Sequence, residues 1–365
     1  MPVPLFDTAT PLEPLRDRLH AAAAGVLDSG RFVLGPQVEA FERELADHLG
    51  VAHVVGVANG TDAISIALQA MGVGPGDDVV VPSFTFYASA EAIPVTGARP
   101  VFCDVDPETA CVTPQTVRAA LTTQTKAVIT VDLFGNVAPS QEIAEQLGVP
   151  VLEDAAQAAG ASRRGRRAGA FGAAATFSFF PSKNLGAFGD AGAVVTDDGE
   201  LAELVRMLRF HGSRDKQTFE LVGRNSRLDE LQAALLRVQL PELDGWAQAR
   251  RAVAQAYADA GLGGFVALPA PVQGAEPAWH LFVVRHVTAE GLERGLNEAG
   301  IGARRYYAVP VHRQPAMAPV AGGVQLPMTD ELARTNVALP MSPALGREQV
   351  EEVVAAVRAC ASGST

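Results

Sequence analysis

Between residues 79 and 154 the chain alternates short apolar runs with amphipathic ones, and this alternation limits its possible folds more than any other feature. VVVP (79–82), PVFCDV (100–105), KAVITV (126–131) and VPVLED (149–154) read as strands. PQTVRAAL (114–121) and SQEIAEQL (140–147), set between them, have helical spacing. Continuous apolar strands separated by helices predict a parallel sheet, covered on both faces and linked by right-handed crossovers. The same spacing predicts helices over 12–27, 38–48 and 61–71. Beyond Asp154, AATFSFF (174–180) and GAVVTD (192–197) read as strands on either side of a glycine-bearing loop, whose Gly186, Gly189 and Gly192 let the backbone turn. LAELVRMLRFH (201–211) reads as a helix, RLDELQAALLRVQLPELDGW (227–246) as a helical stretch broken near Pro241, and 248–260 as a connecting helix. HLFVVRHV (280–287) follows as a strand and 347–361 as the last helix. The expected fold class is α/β, with a large domain over 1–247 and a smaller C-terminal α+β domain over 248–365.

Composition removes several functions. The net charge is −12 and there is no basic stripe, which speaks against nucleic-acid binding. Cys103, Cys111 and Cys360 are scattered and form no CxxC, so they read as reduced thiols of a cytoplasmic protein. No signal peptide is evident, and no charge-free apolar run approaches the roughly 18 residues of a membrane span. P-loop, GxGxxG, HExxH and GxSxG motifs are missing, and no two of the seven histidines have metal-ligand spacing. No metal is expected.

Four features carry chemistry, each with a plain structural alternative. ANGTDA (58–63) opens a helix, where Gly60, Thr61 and free backbone N–H groups either cradle a phosphate or form a simple cap. In VLEDAAQ (151–157), Asp154 ends a strand and either meets a protonated ring nitrogen or caps a helix. Gln157 lies three residues on, in reach of the same ligand. PSFTF (82–86) holds Phe84 and Phe86, suited to stacking on a flat ring or to core packing. FSFFPSKNLGAFGDAG (177–192) sets Lys183 among aromatic residues, where it is a solvated loop cation or a desolvated amine able to form a Schiff base; Ser178 adds a hydroxyl for a phosphate. Together they fit one ligand, pyridoxal 5′-phosphate (PLP): a phosphate cradle, an acid for the ring nitrogen, a stacking aromatic and a nucleophilic amine.

These stretches, in order, also carry a family resemblance. ANGTDAISIALQAMGVGPGDDVVVPSFTF, GARPVFCDVDPET, VLEDAAQAAGA, FSFFPSKNLGAFGDAGAVVTDD, LRFHGSRDK, NSRLDELQAALLRVQL and YYAVPVHRQPA resemble the DegT/DnrJ/EryC1/StrS nucleotide-sugar aminotransferases, from about Gly35 to Val353. The resemblance implies the fold-type-I architecture of PLP-dependent transferases, with a mostly parallel seven-stranded sheet in the large domain. It implies that Lys183 is the catalytic amine and proton carrier and that Asp154 pairs with the pyridine nitrogen. Gln157 is implied at the ring hydroxyl, Phe86 over the ring, and Gly60, Thr61 and Ser178 at the phosphate. Asn225 completes the phosphate site from the partner of a homodimer with shared active sites, and Arg227 binds a substrate carboxylate across the same interface.

The implied substrates are L-glutamate and a keto-sugar nucleotide, with Tyr306, Tyr307 and His312 touching the sugar. The HRQPA segment (312–316) is more like members that aminate a 3-keto sugar than a 4-keto one. ARRYYAVPVHRQPA departs from the family pattern at Arg305, Tyr306, Tyr307 and Ala308, and VDLFGN (131–136) replaces a histidine-containing version. A cyclitol (inosose) aminotransferase and a PLP-bound regulatory protein without turnover are the alternative readings.

Overall fold

Seven strands form the central sheet of the computed structural model, which describes residues 2–362. In chain order the strands are β1 (His53–Val57), β2 (Asp78–Pro82), β3 (Arg99–Cys103), β4 (Thr125–Val131), β5 (Val151–Asp154), the two-residue β6 (Ser162–Arg163) and β7 (Arg166–Arg167), β8 (Ala174–Ser178) and β9 (Gly192–Thr196). The sheet order is β1-β9-β8-β5-β4-β2-β3. All pairings are parallel except the two made by β9, which is antiparallel to both β1 and β8. The architecture is α/β as the alternating pattern predicts, with the mostly parallel seven-stranded sheet that the family resemblance implies.

Both faces of the sheet are covered, which explains the apolar runs. Val194 and Val195, adjacent on β9, are buried on opposite faces: the first belongs to the core that also holds Ile64, Val80 and Val128, the second to the core of Phe41, Phe177 and Leu236. Each such side chain, fully buried, contributes about 1.5–3 kcal/mol. The helix Pro36–Leu49 starts with proline in its first turn and ends at Gly50, whose φ of 72° is the left-handed stop. It turns Val38, Phe41, Leu45 and Leu49 to the sheet. The helix Gly60–Ala70 is capped by Asn59, whose side chain accepts from the Asp62 N–H at 2.8 Å.

The C-terminal part builds its own layer. β10 (Ala275–Glu276) joins β6, while β11 (Phe282–Arg285) and β12 (Asn336–Leu339) pair antiparallel. Tyr257, Val284, Leu296, Val337 and Val353 share a core with Val3, which bridges to Ile301, so the start of the chain lies on this C-terminal layer.

Several local expectations change. β1 is absent from the sequence reading, because HVVGV is short and Gly56 interrupts it. The strand expected over 174–180 stops at Ser178, freeing Phe179 and Phe180 to lead into the lysine turn. Pro14 confines the start of the first helix to a 3₁₀ turn, Thr10–Leu15, ahead of Arg16–Ser29. The helix expected from 227 starts at Glu230, after Asp229 caps it through the Gln232 N–H. The loop glycines are not there for left-handed turns. A Cβ on Gly192 would stand 2.5 Å from the Asn59 carbonyl carbon, and one on Gly186 2.6 Å from the Pro181 oxygen. Gly186 and Gly192 serve close backbone approach.

Candidate active site

β4 and β5 run parallel, and their carboxyl ends meet where Val131 pairs with Asp154. The crevice beyond such ends is where open α/β sheets bind ligands. There the chain encloses a cavity of about 640 Å³. Its wall brings together Gly60, Thr61, Phe86, Asp154, Gln157, Ser178, Lys183, Tyr306 and Tyr307.

Asp154 sits at the end of β5, nine-tenths or more buried. Its Oδ2 accepts from the Ser89 hydroxyl at 2.7 Å and its Oδ1 from the Ala156 N–H at 3.2 Å. Burial pushes its carboxyl above the usual range, while the Ser89 and Ala156 bonds and the charge of Lys183 pull back. Lys183 lies in the turn after β8, where its N–H bonds the Phe180 carbonyl at 2.8 Å. Burial lowers its amine to about 8, with Asp154 opposing. The neutral amine, the form that attacks an aldehyde, is thus far more populated near neutral pH than that of an exposed lysine.

At the other end of the cavity the Gly60–Ala70 helix begins against Ser178. A Cβ on Gly60 would lie 2.7 Å from the Ser178 Cβ, so only glycine lets the hydroxyl and the helix start share one spot. The first N–H groups of the helix have no carbonyl one turn earlier to bond and suit an anion. Phe86 is half exposed on the wall, its ring centroid 6.2 Å from that of Tyr307.

The residues fit PLP. Thr61, Ser178 and the helix start would hold its phosphate, and buried Asp154 would meet a protonated ring nitrogen. An aldehyde meets an amine held near neutrality. Gln157 differs in detail: its Oε1 accepts from the Phe134 N–H at 2.7 Å and its Nε2 donates to the Tyr307 hydroxyl at 3.1 Å, so one amide hydrogen remains for a ligand.

Three expected residues lie elsewhere in the chain. His312 is buried; its Nδ1 is 2.7 Å from the Ser83 hydroxyl and its ring faces Phe102, so it braces the segment behind Tyr306 and Tyr307 and does not reach the cavity. Asn225 is exposed and bridges to Phe210. Arg227 lays its guanidinium over the Phe210 ring at 5.8 Å. Sequence reading missed Ser89 and His280. His280 lines the cavity with its Nδ1 buried and unpartnered, and burial together with the Lys183 and Arg250 charges keeps it neutral at ordinary pH. No motif marks either one; only the folded chain places them beside Asp154 and Lys183.

Fold and site together define a PLP-dependent enzyme of fold type I. More narrowly, the chain belongs to the DegT/DnrJ/EryC1/StrS aminotransferase family, whose profile matches residues 15–358. It is 46% identical over 364 residues to dTDP-3-amino-3,4,6-trideoxy-alpha-D-glucose transaminase of Streptomyces venezuelae, covering 98% of this chain and 95% of that one. It is 42% identical over 359 residues to the UDP-N-acetyl-3-dehydro-alpha-D-glucosamine 3-aminotransferase of Acidithiobacillus ferrooxidans, covering 98% and 97%. The solved structure of S. venezuelae DesV in complex with a ketimine intermediate superposes with a TM-score of 0.95 at 46% identity, over 99% of this chain and 98% of that one.

Proposed function

We propose that this aminotransferase moves an amino group from L-glutamate to the 3-keto group of a nucleotide-linked sugar, working as a cytoplasmic homodimer. The observation that carries the reading is the pairing, in one cavity, of a pKa-lowered Lys183 with buried Asp154. The two relatives named above both act on 3-position sugar nucleotides by their names, which supports position 3 over position 4. Cys103 and Cys111, buried and outside any disulfide, support the cytoplasm. Among the described residues no helix is long and apolar enough to cross a membrane.

When bound, PLP supplies an aldehyde to receive the amino group and a ring that accepts electrons. Lys183 gives up and takes back the proton on the reacting carbon, and an amine with a pKa near 8 suits both directions. Asp154, fixed by Ser89, keeps a proton on the ring nitrogen through its charge. Thr61, Ser178 and the helix start would hold the PLP phosphate, and Phe86 would stack on the ring. Asn225 and Arg227 act across the dimer interface in this proposal. Their exposed surroundings support it, since Phe219 and Val222 on the same segment are 59% and 89% exposed.

The test runs in reverse, from stable amino sugars. The protein is incubated with 2-oxoglutarate and dTDP- or UDP-linked sugars aminated at position 3 or 4, and L-glutamate formation is measured. Glutamate is expected from the 3-amino compounds. Turnover of 4-amino compounds alone would reject position 3.

A further inference from the structure

A second cavity, of about 430 Å³, shares Phe6, Ser182 and Lys183 with the first. That volume lies within the range of small-molecule sites. Its wall also carries Arg250, from the helix Leu243–Asp259. Arg250 is only 8% exposed. Its Nη1 donates to the Trp279 and Met341 carbonyls at 3.1 and 3.2 Å, while its buried Nε has no hydrogen-bond partner. Among the described residues no carboxylate forms an ion pair with it. The acid on the cavity wall is Asp7, and its Oδ1 is engaged by the Ala9 and Thr10 N–H groups.

A buried guanidinium with neither counter-charge nor full hydrogen bonding is unfavourable unless an anion joins it. Burial alone brings the Arg250 pKa down to about 10, so it remains a cation at neutral pH. The fork geometry of arginine matches a carboxylate. Arg227, the residue the sequence suggests for such a carboxylate, lines neither cavity within the subunit.

We propose that Arg250 seats a carboxylate of the amino donor, a short dicarboxylic amino acid, which meets Lys183 from this second cavity. The inference rests on the aminotransferase reading above. It assigns the donor and the sugar nucleotide to two approaches that converge on one lysine.

The probe is glutarate, an unreactive five-carbon dicarboxylate, titrated calorimetrically into the PLP-loaded protein. Arg250→Gln, which keeps a donor for the two carbonyls, is expected to weaken glutarate binding and raise the KM for L-glutamate roughly 10- to 100-fold, the worth of one charged hydrogen-bonding partner. The maximal rate of the half-reaction should change less, and Arg250→Lys should fall between. A purely architectural role would lower thermal stability and leave the ratio of KM values near one. Unchanged glutarate affinity in Arg250→Gln, or no glutarate binding to the parent, overturns the assignment. Should the variant fail to fold, a crystal structure of the parent with glutarate decides: a carboxylate on Arg250 supports it, and one on Arg227 or elsewhere refutes it. If the parent releases no 2-oxoglutarate from L-glutamate, the donor reading itself fails, which is a separate result.

Discussion

Lys183 is a loop residue whose chemistry is made by depth. Burial lowers its amine to about 8, and Asp154 limits the fall. The shift stabilises the neutral form, so in PLP-free protein the amine should react with a small aldehyde, trapped by borohydride, with a midpoint near pH 8. Exposed lysines titrate near 10.4. Reaction should fall off below that midpoint as the amine protonates. A profile centred on 10 would place Lys183 in solvent. Asp154 acts through its charge, so Asp154→Asn should lower kcat by roughly 100- to 1,000-fold, as when one preorganised electrostatic partner is lost. PLP should still load, because the phosphate contacts lie at the other end of the cavity. Both residues were visible in the sequence as candidates. Ser89 and His280 were not, because a lone serine or histidine carries no local pattern and its neighbours come from distant segments.

At the scale of elements, the site depends on how tightly β9 crosses the start of the Gly60–Ala70 helix. Gly192 makes that crossing possible, since its absent Cβ would overlap Asn59. Gly192→Ala should cost about 1–3 kcal/mol of stability, the range for overpacking, and should also weaken PLP binding by shifting Gly60 and Thr61. Denaturant unfolding and a PLP titration check the two effects. A loss of stability with unchanged PLP affinity would separate the crossing from the phosphate site. Most strands were legible because both sheet faces are buried, which writes β2, β4 and β5 as apolar runs. β1 was not, being a five-residue strand broken by glycine. The glycines of the lysine loop were legible as constraints but not as to kind: spacing shows that a side chain is excluded, whereas only packing shows that a neighbouring backbone excludes it.

At the scale of the whole molecule, the cavity lacks exposed Asn225 and half-buried Arg227. In the proposed dimer the partner contributes them. Mixing inactive Lys183→Ala and Asn225→Ala subunits should then restore about a quarter of parental activity, since half of the dimers are mixed and each holds one intact site. No recovery in dimers shown to have exchanged subunits would place Asn225 outside the partner's site. His312 shows the limit of reading such segments: the resemblance implies that it touches the sugar, yet its ring turns inward to Ser83. Lys183 drives amino transfer in this reading, and a single-turnover half-reaction tests that most directly. PLP-loaded protein mixed with L-glutamate should release one 2-oxoglutarate per site, with loss of the cofactor's visible absorbance, and Lys183→Ala should release none on the same timescale. Equal release by parent and variant would contradict the claim.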